Sequence, residues 1–183
     1  SRLSATARSV RHERLTYLSA RKLHRLETAL GQVLRRNVPG DIAEFGIALG
    51  GSGIILAEQA TRHGRSFHGF DVFGMIPPPA SEKDDEKSKS RYQKIAAGES
   101  AGLGGDVYYG YRDNLYDDVK RSFERHGVAV NGINISLHKG LFEATLPEVE
   151  MDRICFAHID CDWYDPVQYC LARVADRLSP NGV

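Results

Sequence analysis

The chain is poor in cysteine, methionine and tryptophan, carries no net charge and has no long apolar run. Its 183 residues include three Cys, two Met and one Trp, and 24 basic side chains balance 24 acidic ones. That balance leaves no field to gather nucleic acid or an anionic membrane surface. A membrane-spanning helix needs about 18 apolar residues or more, and nothing here approaches it. Residues 1–14 are polar and basic where a secretory leader carries an apolar core. We therefore expect a soluble, cytoplasmic protein whose partner is a small molecule. Cys155, Cys161 and Cys170 form neither a C-x-x-C pair nor a secreted-type framework and read as reduced core thiols. Cys161 lies between two aspartates, but alternation along an extended segment turns it away from them. His12, His24, His63, His68, His126 and His138 show no H-E-x-x-H or similar spacing and read as structural or surface residues.

Hydrophobic residues make up 42% of the chain, enough for one domain with a true core. Leu15, Leu18, Leu23, Leu26, Leu30, Val33 and Leu34 recur at helical steps, so residues 15–34 are expected to form an amphipathic helix within an N-terminal segment, 1–38. The arginine-rich polar side of that helix, short of acidic partners, leaves room for a homo-oligomer. A strand over 42–46, a helix over 52–63 and a strand over 66–71 make a βαβ unit. Further on come a helix at 115–126, a strand at 133–137, a buried strand at 154–159 and a helix at 165–178. Together, 39–183 read as an α/β core with a doubly wound, mostly parallel sheet. Residues 73–110 interrupt it with Pro77-Pro78-Pro79, a charged run and a glycine-rich stretch. Such an insertion is either a lid over a site or a solvated excursion.

The most informative segment is Glu44-Phe45-Gly46-Ile47-Ala48-Leu49-Gly50-Gly51-Ser52. It joins a strand to a helix through a glycine-rich turn that lets the backbone approach a ligand closely, with Ser52 placed to cap the helix. It has neither a GKS/GKT ending nor the first two glycines of the dinucleotide fingerprint. Glu44 in their place favours a cationic ligand over an anionic one. Asp71, 27 residues after Glu44, lies near the roughly 20-residue spacing at which a carboxylate meets ribose hydroxyls. Asp160 and Asp162 follow the buried strand at its carboxyl end, where open α/β sheets place ligands. Two hard oxygen donors there suit Mg²⁺. The plain alternative is that one caps the next helix and the other is merely exposed.

An acidic residue followed by G-x-x-x-G-G resembles the first motif of class I S-adenosylmethionine (SAM) methyltransferases. Read together with Phe70-Asp71-Val72-Phe73-Gly74, His138-Lys139-Gly140-Leu141-Phe142 and His158-Ile159-Asp160-Cys161-Asp162-Trp163-Tyr164, the chain resembles the macrocin O-methyltransferase family from about Pro39 onward. Those enzymes methylate sugar hydroxyls on antibiotic-type natural products with the help of a metal. The resemblance implies a Rossmann-like methyltransferase fold and a glycosylated small-molecule acceptor. It implies SAM held by Glu44, Gly46, Gly50, Gly51, Ser52 and Asp71, with Gly140 and Phe142 near the adenine. It also implies Mg²⁺ on Asp160 and Asp162. The fold normally has seven strands, and the family carries a further pair of metal-binding aspartates after a turn like Leu178-Ser179-Pro180-Asn181-Gly182. A truncated chain is therefore expected.

In that scheme the metal would acidify the acceptor hydroxyl and align it with the SAM methyl, and Asp160 or His158 would take the proton. For His158 a hydrogen-bonded core imidazole is the commoner outcome, and Gly140 to Phe142 reads equally as a plain turn. Trp163 and Tyr164 either line an acceptor pocket or pack on the next helix. Two other classes stay open: a glycosyltransferase using Asp160-Cys161-Asp162 as a D-x-D motif, and a SAM-binding module without catalysis.

Overall fold

Short apolar runs bounded by glycine or polar turns form the strands of a parallel sheet in the computed structural model, which describes residues 3–183. The strands are β1 (Asp41–Phe45), β2 (Phe67–Asp71), β3 (Ile135–Lys139) and β4 (Ile154–Ile159), in the order β3-β2-β1-β4. All three pairings are parallel. This is the expected α/β architecture. The chain runs outward from β1 through β2 to β3 and then returns to the far side of β1. The carboxyl tips of β1 and β4 therefore flank the crevice where such sheets bind ligands.

The helices are α1 (Ala5–His12), α2 (Ala20–Arg35), α3 (Gly51–Arg62), α4 (Glu86–Ala96), α5 (Leu115–Arg125), α6 (Phe142–Thr145) and α7 (Tyr164–Ala175). Residues of α1, α2, α3 and α5 pack on one sheet face with Ile42, Phe67, Ile135 and Phe156. The other face, Ala43, Phe45, Phe70 and Ile154, is covered by Cys170 and Val174 of α7 and by Phe142 and Leu146. Both faces being covered explains why β4 reads as a continuous apolar run instead of an alternation. Among the described residues no helix is long and apolar enough to cross a membrane.

Several boundaries differ from the sequence reading. The helix expected over 15–34 starts only at Ala20, as α2, and a separate helix, α1, precedes it; each has its own serine cap, Ser4 accepting from Ala7 N and Ser19 from Lys22 N. Between them Arg14 turns with φ +56°, and Leu15 and Leu18 still pack against the core from the connection. Helix α3 starts at Gly50 (φ +95°) without a side-chain cap, so Ser52 lies inside its first turn instead of capping it. Strand β3 begins two residues later than expected. Asn131 Oδ1 accepts from the backbone N–H of Ile133, Asn134 and Ile135, which holds 131–134 in a turn and leaves Ile133 exposed. The 73–110 insertion is not irregular throughout. It contains α4, capped by Asp85, and buries Ile95 and Tyr108.

Candidate active site

The carboxyl ends of all four strands meet at the cleft. After β1 the chain turns through Gly46 (φ +95°), and a Cβ there would lie 2.4 Å from the Asp160 carbonyl oxygen. Only glycine lets this loop cross so close to the β4 tip, where Asp160 N donates to Phe45 O (2.9 Å). Gly51 is small for a different reason. Its N–H donates to Leu15 O (2.8 Å) and a Cβ would meet that carbonyl at 2.5 Å, so it seats the α1–α2 connection. Gly50 packs on Val119 and Phe123. Neither Gly50, Gly51 nor Ser52 lines the cleft.

The two acidic residues expected to hold a cofactor occupy different settings. Glu44 is fully buried on the α3 side of the sheet, and its carboxylate does not line the cleft. Its Oε1 accepts from His158 Nδ1 at 2.8 Å, across the β1–β4 pairing that places Glu44 beside His158. Among the described residues Oε2 has no hydrogen-bond partner, although the nearby Ser52 hydroxyl favours the charged form of the carboxyl. Burial pushes the Glu44 carboxyl up, against the pull of His158. Burial alone would lower His158, but the bond to Glu44 and the charges of Glu44 and Asp160 outweigh it and raise the imidazole. The direct grip on a cationic ligand expected of Glu44 is thus corrected by its position: alternation along β1 turns it inward, where it supports His158. His158 does not line the cleft either.

Asp71 does line it. Its Oδ2 accepts from Ile47 N (2.7 Å) and Ala48 N (3.1 Å), and its Oδ1 from Phe73 N (2.7 Å). Burial raises its pKa while these donors pull the other way. One carboxylate therefore ties the turn after β1 to the turn after β2. Gly140 follows β3 with φ +148°, and its N–H donates to Asp71 O (2.9 Å). Phe142 opens α6 edge-on to Phe45, ring centroids 5.9 Å apart. Both border the cleft.

Asp160 and Asp162 stand at the β4 tip and face the cleft. Asp162 Oδ1 accepts from Arg91 Nη1 of α4 at 2.7 Å. Burial raises Asp162, with Arg91 as the opposing influence. Next, Trp163 adopts φ +69°, ψ 157°, a region costly for any residue with a side chain and found at constrained sites. The insertion holds it there: Trp163 Nε1 donates to Pro77 O (2.8 Å), Tyr164 N to Asp84 Oδ1 (2.8 Å), and Lys83 Nζ to Tyr164 Oη (3.0 Å). Asp84, from the charged run of the insertion, is buried. It supplies the N-terminal cap that α7 lacks from its own residues.

The resulting cavity holds about 480 Å³, within the usual range for small-molecule sites. Gly46, Ala48, Asp71, Gly140 and Phe142 line it together with Ile76, Pro77, Pro78, Ala80 and Trp163. Its charged lining consists of Asp71, Glu143, Asp160, Asp162 and Asp165, with no Lys, Arg or His among the described residues. Cys161 borders the cleft yet packs with the cluster of Cys170, and the three cysteines are free. Tyr109 and Ile76 are lining residues that sequence reasoning missed. No spacing marks them, because the insertion delivers them from a distance.

Comparison with known proteins agrees with this arrangement. The chain is 26% identical over 170 residues to 8-demethyl-8-(2,3-dimethoxy-alpha-L-rhamnosyl)-tetracenomycin-C 4'-O-methyltransferase of Streptomyces olivaceus, covering 91% of this chain and 59% of that protein. It is 25% identical over 176 residues to mycinamicin III 3''-O-methyltransferase of Micromonospora griseorubida, covering 91% and 62%. The chain thus spans about three fifths of the length of these relatives. In fold it resembles the O-methyltransferase NovP, with a TM-score of 0.68 at 22% identity, over 90% of this chain and 64% of NovP. The family description Macrocin-O-methyltransferase (TylF) matches residues 4–183, nearly the whole chain and every strand tip described above. The chain belongs to the macrocin O-methyltransferase family.

Proposed function

We propose that this chain carries the SAM-binding site of an O-methyltransferase that acts on a sugar hydroxyl of a glycosylated natural product. The observation that carries the reading is the cleft itself: apolar walls, five carboxylates and, among the described residues, no basic lining side chain. A sulfonium cofactor with ribose hydroxyls suits such walls. A nucleotide-sugar diphosphate does not, because it would meet carboxylates with no cation to offset them. The charge of the lining therefore speaks against the D-x-D glycosyltransferase reading.

In this site the Gly46 turn leaves room for the methionine part of the cofactor, Asp71 accepts from a ribose hydroxyl, and Gly140 with Phe142 offers a flat apolar surface to the adenine. When bound, SAM supplies an electrophilic methyl group on a positively charged sulfur. Ile76, Pro77, Pro78 and Trp163 exclude water from the acceptor end. Asp160, at the β4 tip, accepts the hydroxyl proton as the oxygen becomes a nucleophile. His158 is tied to Glu44 by the bond from Nδ1 and so holds that buried carboxylate in place. The Mg²⁺ expected from the sequence does not fit the described residues as they stand. They hold no group of three or more His, Cys, Asp or Glu that could bind a metal, and Asp162 is already paired with Arg91.

Calorimetry with SAM and with a UDP-sugar tests the cofactor, followed by transfer of labelled methyl from SAM to neutral glycosides. The expected result is SAM binding, with label appearing on the sugar. Binding of the UDP-sugar in the absence of any SAM binding would overturn the reading.

A further inference from the structure

The β4 tip places two carboxylates, Asp160 and Asp162, on a cleft whose lining has no basic side chain among the described residues. Negative charge so concentrated calls for a cation, and one reaches it from outside the lining. Arg91, on the helix α4 of the insertion and 71 residues away in sequence, donates from Nη1 to Asp162 Oδ1 at 2.7 Å. The distance is that of a charge-assisted hydrogen bond. We propose that Arg91 is the resident cation of this acidic edge, occupying the Asp162 carboxylate and competing for it with any divalent ion.

Two features separate this pairing from an ordinary surface contact. First, the insertion does not depend on it for docking. Trp163 Nε1 bonds to Pro77 O, Tyr164 N to Asp84 and Lys83 to Tyr164, and Tyr92 packs edge-on to Trp163 at 6.4 Å. Arg91 thus adds charge where position is already fixed. Second, the pair is open to exchange. The Arg91 side chain is 56% exposed and that of Asp162 27%, so an ion from solvent can reach the carboxylate. A dication bound to Asp162 must then either displace the guanidinium or tolerate it as a neighbour. The competition stands on this geometry alone.

Mn²⁺ binding, followed by electron paramagnetic resonance, tests the competition without SAM or an acceptor. Even at the dielectric of water, a unit charge about 5 Å from a dication changes its affinity by roughly tenfold. Arg91→Met should therefore bind Mn²⁺ about tenfold or more tighter than the unaltered chain. The gain should vanish when Asp162→Asn is added. Equal or weaker binding by Arg91→Met, or a gain that survives Asp162→Asn, would overturn the proposal. A second measurement needs no variant: Mn²⁺ that displaces Arg91 should speed tryptic cleavage after that residue, and an unchanged rate counts against competition. Because these readouts ignore SAM, they can fail while the calorimetry above succeeds, and the reverse.

Discussion

Replacing Gly46 with alanine tests how closely the turn after β1 crosses the β4 tip. The residue has φ +95°, and an added Cβ would stand 2.4 Å from Asp160 O, 2.8 Å from Asp160 C and 3.1 Å from Cys161 N. All three are backbone atoms held by the parallel β1–β4 pairing, so no side chain can swing aside. Left-handed backbone costs a residue with a Cβ about 1–2 kcal/mol. Forcing a methyl group into filled space adds about 1–3 kcal/mol. Gly64 provides the control, since it has φ +62° and nothing within 4 Å of its added Cβ. Gly64→Ala should carry only the backbone cost. The excess for Gly46→Ala is therefore about 1–3 kcal/mol. For a chain of this length that separates the melting midpoints by roughly 2–10 °C. Thermal and urea unfolding of both variants, followed by circular dichroism, reads the difference. Equal losses would mean that the loop and the β4 tip do not touch, and the cleft floor described here would be wrong.

Two further substitutions probe the insertion and the far sheet face. Asp84→Ala removes a buried carboxylate that accepts from Tyr164 N and Ser81 N; it should cost about 1–2 kcal/mol, as loss of a helix cap does. It should also quicken proteolysis between Pro77 and Arg91, and an unchanged melting point with unchanged proteolysis would show that the insertion is not anchored there. His138 is held at about 4, below its ordinary 6.5, by burial and by His68, whose Nδ1 is 3.2 Å from its Nε2. Between those two values the unfolded chain binds a proton that the folded chain refuses, so this contribution is whole above 6.5 and is lost as pH falls toward 4. Solvent screening reduces its size, since the ring is not fully enclosed. His138→Phe, which keeps a ring against Phe70, should flatten the stability–pH slope in that window, and an equally steep slope in urea titrations would refute the assignment.

How much of this was legible in the chain follows from which forces are local. Strand β4 could be read because both of its faces are buried and its apolar run needs no partner to be recognised. The tips holding Asp71, Gly140, Asp160 and Asp162 were readable for the same reason: each ends an apolar run. The break between α1 and α2 was not, because Leu15 and Leu18 keep the helical spacing. What removes them from a helix is a pair of serine caps and the carbonyl of Leu15 docking on Gly51. Glu44 was misplaced through its neighbours, since a loop motif suggests a ligand whereas strand alternation and His158 decide which way the carboxylate points. Asp84 and Arg91 looked like two members of a solvated charge run. Their partners, Tyr164 and Asp162, are distant in sequence, and no periodicity carries such information.

Asp71 shows how the same residue can serve the fold and limit the ligand. Ala48 and Phe73, which turn the chain after β1 and β2, have φ of +49° and +50°, a costly region for residues with side chains. Asp71 accepts from the N–H of both, and from that of Ile47, so its carboxylate stabilises two strained turns at once. An ionised carboxylate offers about four acceptor directions. Three are committed to backbone donors. In the proposed cofactor site about one direction is then left at this residue for a ribose hydroxyl, unless a turn is released. Release would cost the lost hydrogen bond and let the Gly46 loop drift from the β4 tip. A ligand that uses the remaining direction instead finds a carboxylate already fixed in place, with little of its own binding energy spent on ordering the site.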